Sequence, residues 1–217
     1  MHYSICVIHE DGTDVADALA PFDENLEVEK VVEDDGYEYW HNPNGKWDWY
    51  QVGGRWCGSL KLKRGFKPTP DMYGKPSNIL EEGVDPYFHD FGEDWVDSAP
   101  ISSIDTSLDM QAWDAAIEDW DKAMNGETVG FFQTKESLLR DYIIKENYAA
   151  CRALFYFNYV IDHEGNWHQM WPEGHWWSRS INIFDRLKWA QDFVRRFLVP
   201  LRYGSKKYRL TAVDIHD

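Results

Sequence analysis

Residues 42–56 read NPNGKWDWYQVGGRW. Three tryptophans, a glycine pair and several charged side chains lie within this short stretch. Alternate side chains of an extended strand share one face of the strand. One face is therefore predicted to carry Lys46, Asp48 and Tyr50, and the opposite face to carry Trp47 and Trp49.

The glycine pair Gly53-Gly54 separates two runs with the composition of strands, residues 46–52 and residues 56–63. Glycine tolerates the positive φ angles that a tight hairpin turn requires at its central positions. The pattern therefore predicts a β-hairpin that turns at Gly53-Gly54.

Further strands are predicted on both sides of this segment. Residues 3–9 form a short apolar run suited to a central strand, and residues 208–216 resemble a closing strand. Residues 153–162, followed by the turn residues 163–166 and by residues 167–170, indicate a second hairpin.

Three helices are predicted from apolar residues at intervals of three and four. The first follows Asp105 and reaches Met124, with Thr106 and Asp109 as its capping pair. The second covers residues 135–148 after the cap Thr134. The third begins near Asn182 and ends before Pro200, because proline disrupts a helix interior.

The order strand, hairpin, two helices, hairpin, helix, strand predicts the α+β class. We expect a single domain over residues 1–217, with a mostly antiparallel sheet and about three flanking helices. Residues 65–100 are rich in glycine and proline and lack periodicity, so they predict a long irregular insertion, either a loop or a lid.

Composition and charge narrow the class of protein. Of the 217 residues, 43% are hydrophobic and 16% aromatic, which is ample for a core and argues against disorder. Lys and Arg total 22 against 38 Asp and Glu, a formal charge of −16, which favours solubility and disfavours nucleic acid and anionic membranes as partners. Bases concentrate in residues 61–67 and 186–209, so a local phosphate site remains compatible with this charge.

The three cysteines predict an intracellular protein. Cys6, Cys57 and Cys151 are an odd number, lack CxxC spacing and lie in apolar or aromatic runs, so we expect buried free thiols in a reducing compartment. The N-terminal apolar run is too short for a signal peptide or a membrane span. We therefore expect a cytoplasmic protein.

Residues 42–56 can also build a ligand site. The guanidinium of Arg55 is suited to a forked contact with phosphate, and Lys46 adds a second cation. The aromatic faces that can stack on a planar group belong to Trp47, Trp49, Tyr50 and Trp56. The alternative is structural, with the tryptophans in the core, the glycines in a turn and the cations paired with carboxylates.

Two residues of the closing strand are candidates for catalysis. Asp214 and His216 are two positions apart and so share a face, where a carboxylate can orient an imidazole. His216 and Asp48 are the candidate proton-transfer groups, with Asp214 beside them. The alternative is a surface ion pair between common residue types.

The remaining motifs predict neither a metal site nor a cofactor site. His163 and His168 flank a turn without HExxH spacing or cysteine pairs, so no metal site is predicted, and no nucleotide-cofactor motif is present, so no cofactor is expected. An aromatic segment after residue 166 can cap a ligand pocket or close the end of the sheet. Its tryptophans are Trp167, Trp171, Trp176 and Trp177.

Several segments together resemble a family of uncharacterised proteins from bacteriophages and some bacteria. They are the N-terminal strand with residues 19–25, residues 42–56, residues 162–167 with 174–177, and residues 210–216. The strings KWDWY and GGRW carry most of the specificity, whereas residues 173–177, Ile215 and Asp217 depart from the family pattern. The resemblance implies a phage setting, in the host cytoplasm, with counter-defence as an associated role.

Three classes of function follow. The first is a small-ligand binding protein that sequesters a nucleotide-like, phosphate-bearing molecule. The second is a hydrolase or phosphodiesterase that acts on such a ligand, and the third is an acidic inhibitor that binds a host protein. The sequence carries no signal for the oligomeric state.

Overall fold

The computed structural model describes residues 2–76, 94–130, 133–171 and 182–216. Within these residues the chain divides into two compact units, each assembled from separate segments. The first unit comprises Met1–Asp105, Tyr159–His168 and Leu201–Asp217, and the second comprises Thr106–Asn158 and Gln169–Pro200. The expected domain boundary of 1–217 stays a prediction.

The described strands confirm an α+β fold with a largely antiparallel sheet. In chain order they are β1 (His2–Glu10), β2 (Glu29–Val32), β3 (Glu38–His41), β4 (Trp49–Gly54), β5 (Leu60–Lys61), β6 (Lys75–Pro76), β7 (Trp95–Val96), β8 (Ser98–Pro100), β9 (Tyr159–Ile161), β10 (Trp167–Gln169) and β11 (Tyr208–His216). The main sheet has the order β10-β9-β1-β11-β4-β6, and β8 also pairs with β11.

The two strands nearest the ends of the chain form the centre of this sheet. β1 and β11 are antiparallel over their whole length, from His2 opposite His216 to Glu10 opposite Tyr208. The strand predictions for residues 3–9 and 208–216 are confirmed. The partner on the other side of β11 changes along the strand: β4 pairs with Val213–His216 and β8 with Arg209–Thr211.

One face of the central strand pair is apolar and is covered by a short helix, α1 (Val15–Leu19). Ile5 and Val7 of β1 and Val213 and Ile215 of β11 pack there in one buried cluster with Leu19. Because side chains alternate, His2 and Ser4 of β1 and Asp214 and His216 of β11 lie on the opposite face. The period-two pattern therefore gathers these polar side chains at one end of the sheet.

The hairpin predicted at Gly53-Gly54 is wrong. Both glycines belong to the end of β4, and both have positive φ angles, 78° and 58°. The chain does turn there, since the Trp56 N–H donates to the Gly53 carbonyl, but β4 pairs with β11 and β6 rather than with the residues that follow. Contacts of the glycines with buried carboxylates, described below, explain the pair.

The longer helices belong to the second unit. They are α2 (Met110–Met124), α3 (Lys135–Tyr142), α4 (Lys145–Ala153) and α5 (Ile183–Phe193), and α5 continues through a π-helical turn, Val194–Leu198, into α6 (Val199–Arg202). Asp109, Thr134 and Asn182 are N-caps, because each side chain accepts a backbone N–H of the first turn. The predicted cap Thr134 and the predicted helix start near Asn182 are confirmed, whereas Asp109 caps α2 itself instead of pairing with Thr106.

Two helix predictions need correction. The helix expected over residues 135–148 breaks at Ile143, whose φ is 71°, and the side-chain amide of Asn147 donates to the Tyr142 carbonyl that the break frees. The last helix does not stop before Pro200. Pro200 lies in the first turn of α6 after the π-helical turn, where a missing N–H is tolerated.

The second predicted hairpin is confirmed with shorter strands. β9 and β10 are neighbours, joined by a turn in which the Asp162 carboxylate accepts the backbone N–H groups of Glu164 and Asn166. Residues 153–158 are not strand, since Ala153 ends α4 and residues 154–158 form an irregular connection to β9.

The predicted insertion at residues 65–100 is only partly described. Its described residues contribute the short strands β6, β7 and β8. Residues 77–93, the centre of the suggested lid, lie outside the described residues. The same is true of Trp176 and Trp177 in the suggested aromatic loop.

Candidate functional site

Two histidines meet at the polar end of the β1–β11 pair. The imidazole rings of His2 and His216 are T-shaped, with their centroids 5.0 Å apart. Each ring is oriented by a different carboxylate: His2 Nδ1 lies 2.9 Å from Asp214 Oδ1, and His216 Nδ1 lies 2.8 Å from Asp48 Oδ1. We call these four side chains the histidine pair site.

The hydrogen bonds fix the chemistry of both rings. A carboxylate only accepts, so each Nδ1 donates, and a neutral ring then keeps the lone pair on Nε2. Neither His2 nor His216 has an Nε2 partner among the described residues. Each Nε2 can therefore take up a proton, or give one up when its ring is charged.

The two pairs differ in burial. Asp214 has no exposed surface and the His2 side chain is 15% exposed, whereas Asp48 and His216 are 37% and 40% exposed. The second oxygen of Asp214 accepts the backbone N–H of Arg55 at 3.0 Å. The buried carboxylate thus ties the chain after β4 to His2.

Gly54 makes this arrangement possible. A Cβ atom at Gly54 would lie 2.5 Å from Asp214 Oδ2, so a larger residue would displace the carboxylate. Gly53 has a similar relation to a second buried acid, because its Cβ would lie 3.0 Å from Asp97 Oδ2 and 2.7 Å from the Cys57 sulfur. The glycine pair is required for close approach as well as for its positive φ angles.

Asp97 is a buried acid that was not predicted as a site residue. It is 3% exposed and accepts the backbone N–H groups of Gly58 at 2.6 Å and Gly74 at 2.8 Å. Burial raises the pKa of Asp97, and these N–H donors oppose the shift. The glycines around it, at positions 53, 58 and 74, are the only sequence signal that could have pointed to it.

Cys57 is half-buried beside both acids. Burial, together with the charges of Asp97 and Asp214, raises the pKa of its thiol to about 12. The thiol therefore stays protonated at neutral pH and is a poor nucleophile. All three cysteines are free thiols as predicted, and the predicted burial is confirmed for Cys6 and Cys151 but not for Cys57.

The structure brings together the three residues predicted for catalysis, Asp48, Asp214 and His216. Contrary to the simple pairing of Asp214 with His216, Asp214 contacts His2 and Asp48 contacts His216. His2 was missed. The signal that could have found it is the antiparallel pairing of the first and last strands, which sets His2 opposite His216.

The predicted aromatic contacts divide into core and surface residues. Trp47 is 7% exposed, its indole N–H donates to the Leu19 carbonyl, and its ring contacts Tyr50 with centroids 5.1 Å apart. The expected separation of Trp47 and Tyr50 onto opposite faces is therefore wrong, because residues 46–48 precede β4 and do not continue its alternation. Trp49 is 39% exposed and lies edge-on to His2, with centroids 5.8 Å apart.

The predicted cations lie at different places. Arg55 is exposed, and its backbone is held against Asp214. Lys46 is held near α1 by its backbone N–H, which donates to the Phe22 carbonyl. Neither side chain forms an ion pair with the part of the chain that the structure describes. Trp56 is partly buried in the turn after Gly54.

The opposite end of the β1–β11 pair holds a third histidine in a different setting. His9 Nε2 lies 2.9 Å from Thr211 Oγ1, which lies 2.8 Å from Ser98 Oγ, and the Arg209 guanidinium donates to that serine. All three bonded residues, His9, Thr211 and Ser98, are buried. Burial lowers the pKa of His9, and the charge of Arg209 acts in the same direction.

The two histidines of the second hairpin have separate contacts. His168 Nε2 bonds to Asp162 at 2.6 Å, and His163 stacks edge-on to Tyr208. Trp167 packs against Phe22 with ring centroids 5.2 Å apart, so it closes the sheet as one of the two predicted alternatives.

Comparisons with known proteins do not assign the chain to a family. No family profile, curated protein or solved structure matches the chain. The resemblance to the phage family stays a prediction. Among the described residues, no helix has the length and apolarity needed to cross a membrane.

Proposed function

We propose that the chain is a hydrolase of a phosphate-bearing, nucleotide-like ligand, with His2 and His216 as its acid–base pair. The observation that carries this proposal is the pair of imidazoles 5.0 Å apart, each oriented through Nδ1 by its own carboxylate. Two such rings can exchange protons with the same substrate group from adjacent positions. Positioned acids and bases contribute about 10² to 10⁴-fold each to catalysis.

The proposed step is attack of water on phosphorus. One neutral imidazole accepts a proton from the water through Nε2 as the new P–O bond forms. The other imidazole, protonated, donates its Nε2 proton to the leaving oxygen as the old P–O bond breaks. The charges of the two rings are then exchanged, and proton transfer with solvent restores them.

The surroundings support an anionic, planar substrate. Arg55 is an exposed cation whose backbone bonds to Asp214, and a guanidinium can bind nonbridging phosphate oxygens in a forked contact. Trp49 is exposed beside His2 and can stack on a planar group. If the phage setting holds, removal of such a molecule from the host cytoplasm would constitute counter-defence.

The test is product formation. Purified protein is incubated with bis(p-nitrophenyl) phosphate, p-nitrophenyl phosphate and a panel of linear and cyclic nucleotides, with and without divalent cations, and the products are separated by chromatography. We expect hydrolysis of at least one ester. His2→Gln and His216→Gln should each lower kcat by about 10² to 10⁴-fold, whereas His163→Gln should leave it unchanged.

The second candidate function is binding without hydrolysis. The exposed Trp49 and Arg55 favour it, because both can contact a nucleotide without any proton transfer. Every ester returned intact, together with a rise in melting temperature that Arg55→Ala abolishes, would select sequestration and reject the hydrolase. Neither products nor stabilisation with any probe would reject both.

A further inference from the structure

A second surface lies on the small antiparallel sheet formed by β2 and β3. Its register sets Glu29 opposite His41 and Val31 opposite Tyr39, and the turn closes where the Glu33 N–H donates to the Tyr37 carbonyl. Among the described residues no other strand pairs with it. Both outer edges therefore present backbone groups that can accept a further strand.

This hairpin exposes large apolar side chains on both faces. Tyr37 and Tyr39 lie on one face with their ring centroids 5.9 Å apart. Val32 and Trp40 belong to the other face by alternation. The exposed fractions are 64% for Tyr37, 60% for Val32 and 52% for Trp40. Contiguous exposed apolar residues commonly mark an interaction surface.

The low stability expected of an isolated hairpin also favours a binding partner. A two-stranded sheet is marginally stable in water, because it buries little apolar area. β2 and β3 have seven exposed residues out of eight, and the Lys30–Glu38 ion pair on their surface is worth little. An added strand would cover the aromatic residues and satisfy one free edge.

Charge decides which partner fits. Residues 26–41 contain six carboxylates and one lysine. A second copy of the same hairpin would bring two strongly negative surfaces together, and nucleic acid or an anionic membrane would be repelled. A cationic polypeptide complements both the acidic side chains and the open edge.

We propose that the hairpin of residues 26–41 is a docking site for a cationic, extended polypeptide segment of another protein, which adds to β2–β3 as a further strand. Backbone hydrogen bonds would provide the pairing. Basic side chains on one face of the segment would meet Glu29 and Glu33, while apolar side chains on its other face would pack on the side of Val32 and Trp40.

The probe for this site is a ten-residue peptide of alternating lysine and valine, titrated into the full chain by calorimetry. We expect saturable binding that weakens at high salt. The double variant Glu29→Lys/Glu33→Lys should weaken the affinity at least tenfold. The matched control Glu118→Lys/Glu127→Lys makes the same change in net charge at exposed acids outside the hairpin and should keep the affinity within about twofold.

Four results would overturn the proposal. They are no saturable binding of the lysine–valine peptide, equal binding of a glutamate–valine peptide, equal loss of affinity in both charge-reversal variants, and a dimer of the chain that Trp40→Ala dissociates. Nuclear magnetic resonance spectra of each variant verify that the hairpin is folded, so an affinity change can be assigned to the surface.

Discussion

The two ends of the β1–β11 pair carry histidines in opposite situations. At one end His2 and His216 are bonded to carboxylates through Nδ1 and have no Nε2 partner among the described residues. At the other end both ring nitrogens of His9 contact threonine hydroxyls, Thr13 and Thr211, in a buried setting. The difference shows that partner type and burial decide whether a histidine on this strand pair keeps an open Nε2 or has both ring nitrogens bonded.

The largest expected effect separates the two ends by activity. With the best ester from the product screen, His2→Gln and His216→Gln should lower kcat by about 10² to 10⁴-fold, because each removes a proton-transfer group. His9→Gln should change kcat by less than about threefold, since its ring nitrogens are committed to hydroxyl groups. Steady-state kinetics at fixed pH measures all three.

Stability should follow the reverse order for the same variants. His9→Gln disturbs the buried chain from His9 to Ser98 and should lower the free energy of unfolding by about 1 to 3 kcal/mol. His216→Gln alters a half-exposed pair and should change it by less than about 0.5 kcal/mol. Urea denaturation measures both, and a large kcat loss in His9→Gln would remove the contrast between the ends.

The next prediction concerns stability at Gly54, the last residue of β4, which lies against Asp214. Gly54→Ala should lower the free energy of unfolding by about 2 to 4 kcal/mol, because the new Cβ meets Asp214 and the position has a positive φ. Gly65→Ala is the matched control, since Gly65 also has a positive φ but no atom within 4 Å of the added Cβ. The loss for Gly65→Ala should stay at about 1 kcal/mol. Equal losses would show that backbone strain alone explains Gly54.

Local patterns predicted much of this architecture. The apolar runs of β1 and β11 and the cap residue Thr134 depend on neighbours in sequence, and the structure confirms them. The same local rule put Asp214 and His216 on one face. The contact between His2 and Asp214 was harder to predict, because the two residues are 212 positions apart and meet only through strand register.

The glycine pair shows why local rules failed elsewhere. Gly53-Gly54 has the composition of a hairpin turn, yet the positive φ angles and missing Cβ atoms accommodate Asp97 and Asp214. Those acids lie 44 and 160 positions after the respective glycines in the sequence. A composition signal for a turn is thus indistinguishable from a signal for close backbone approach until the distant partner is known.

A smaller effect compares the two carboxylates of the site. Asp214→Asn replaces one carboxylate oxygen with an NH₂ group. Facing the Arg55 N–H, this group meets another donor, and facing His2 Nδ1 it forces that ring into the other tautomer, so we expect a loss of about 1 to 3 kcal/mol in unfolding free energy. Asp48→Asn is the control, because Asp48 is 37% exposed and water can replace its contact, with an expected change below about 0.5 kcal/mol. Urea denaturation decides between unequal and equal losses.

The smallest expected effect concerns pH at the His9 end. Burial and Arg209 lower the pKa of His9 below its ordinary value of 6.5 in the folded chain, while the charge of Asp11 opposes the shift. As the pH falls, the unfolded chain binds the proton before the folded chain does. This contribution to stability is therefore present above pH 6.5 and is lost as the pH falls toward the lowered pKa.

Urea denaturation across this pH range should give a weaker pH dependence of the unfolding free energy for His9→Gln than for wild type. The matched variant His163→Gln should retain the wild-type dependence, because its ring is exposed rather than buried. If His9→Gln keeps the wild-type pH dependence of the unfolding free energy, a group other than His9 causes it. The burial of His9 would then not explain any pH dependence of stability.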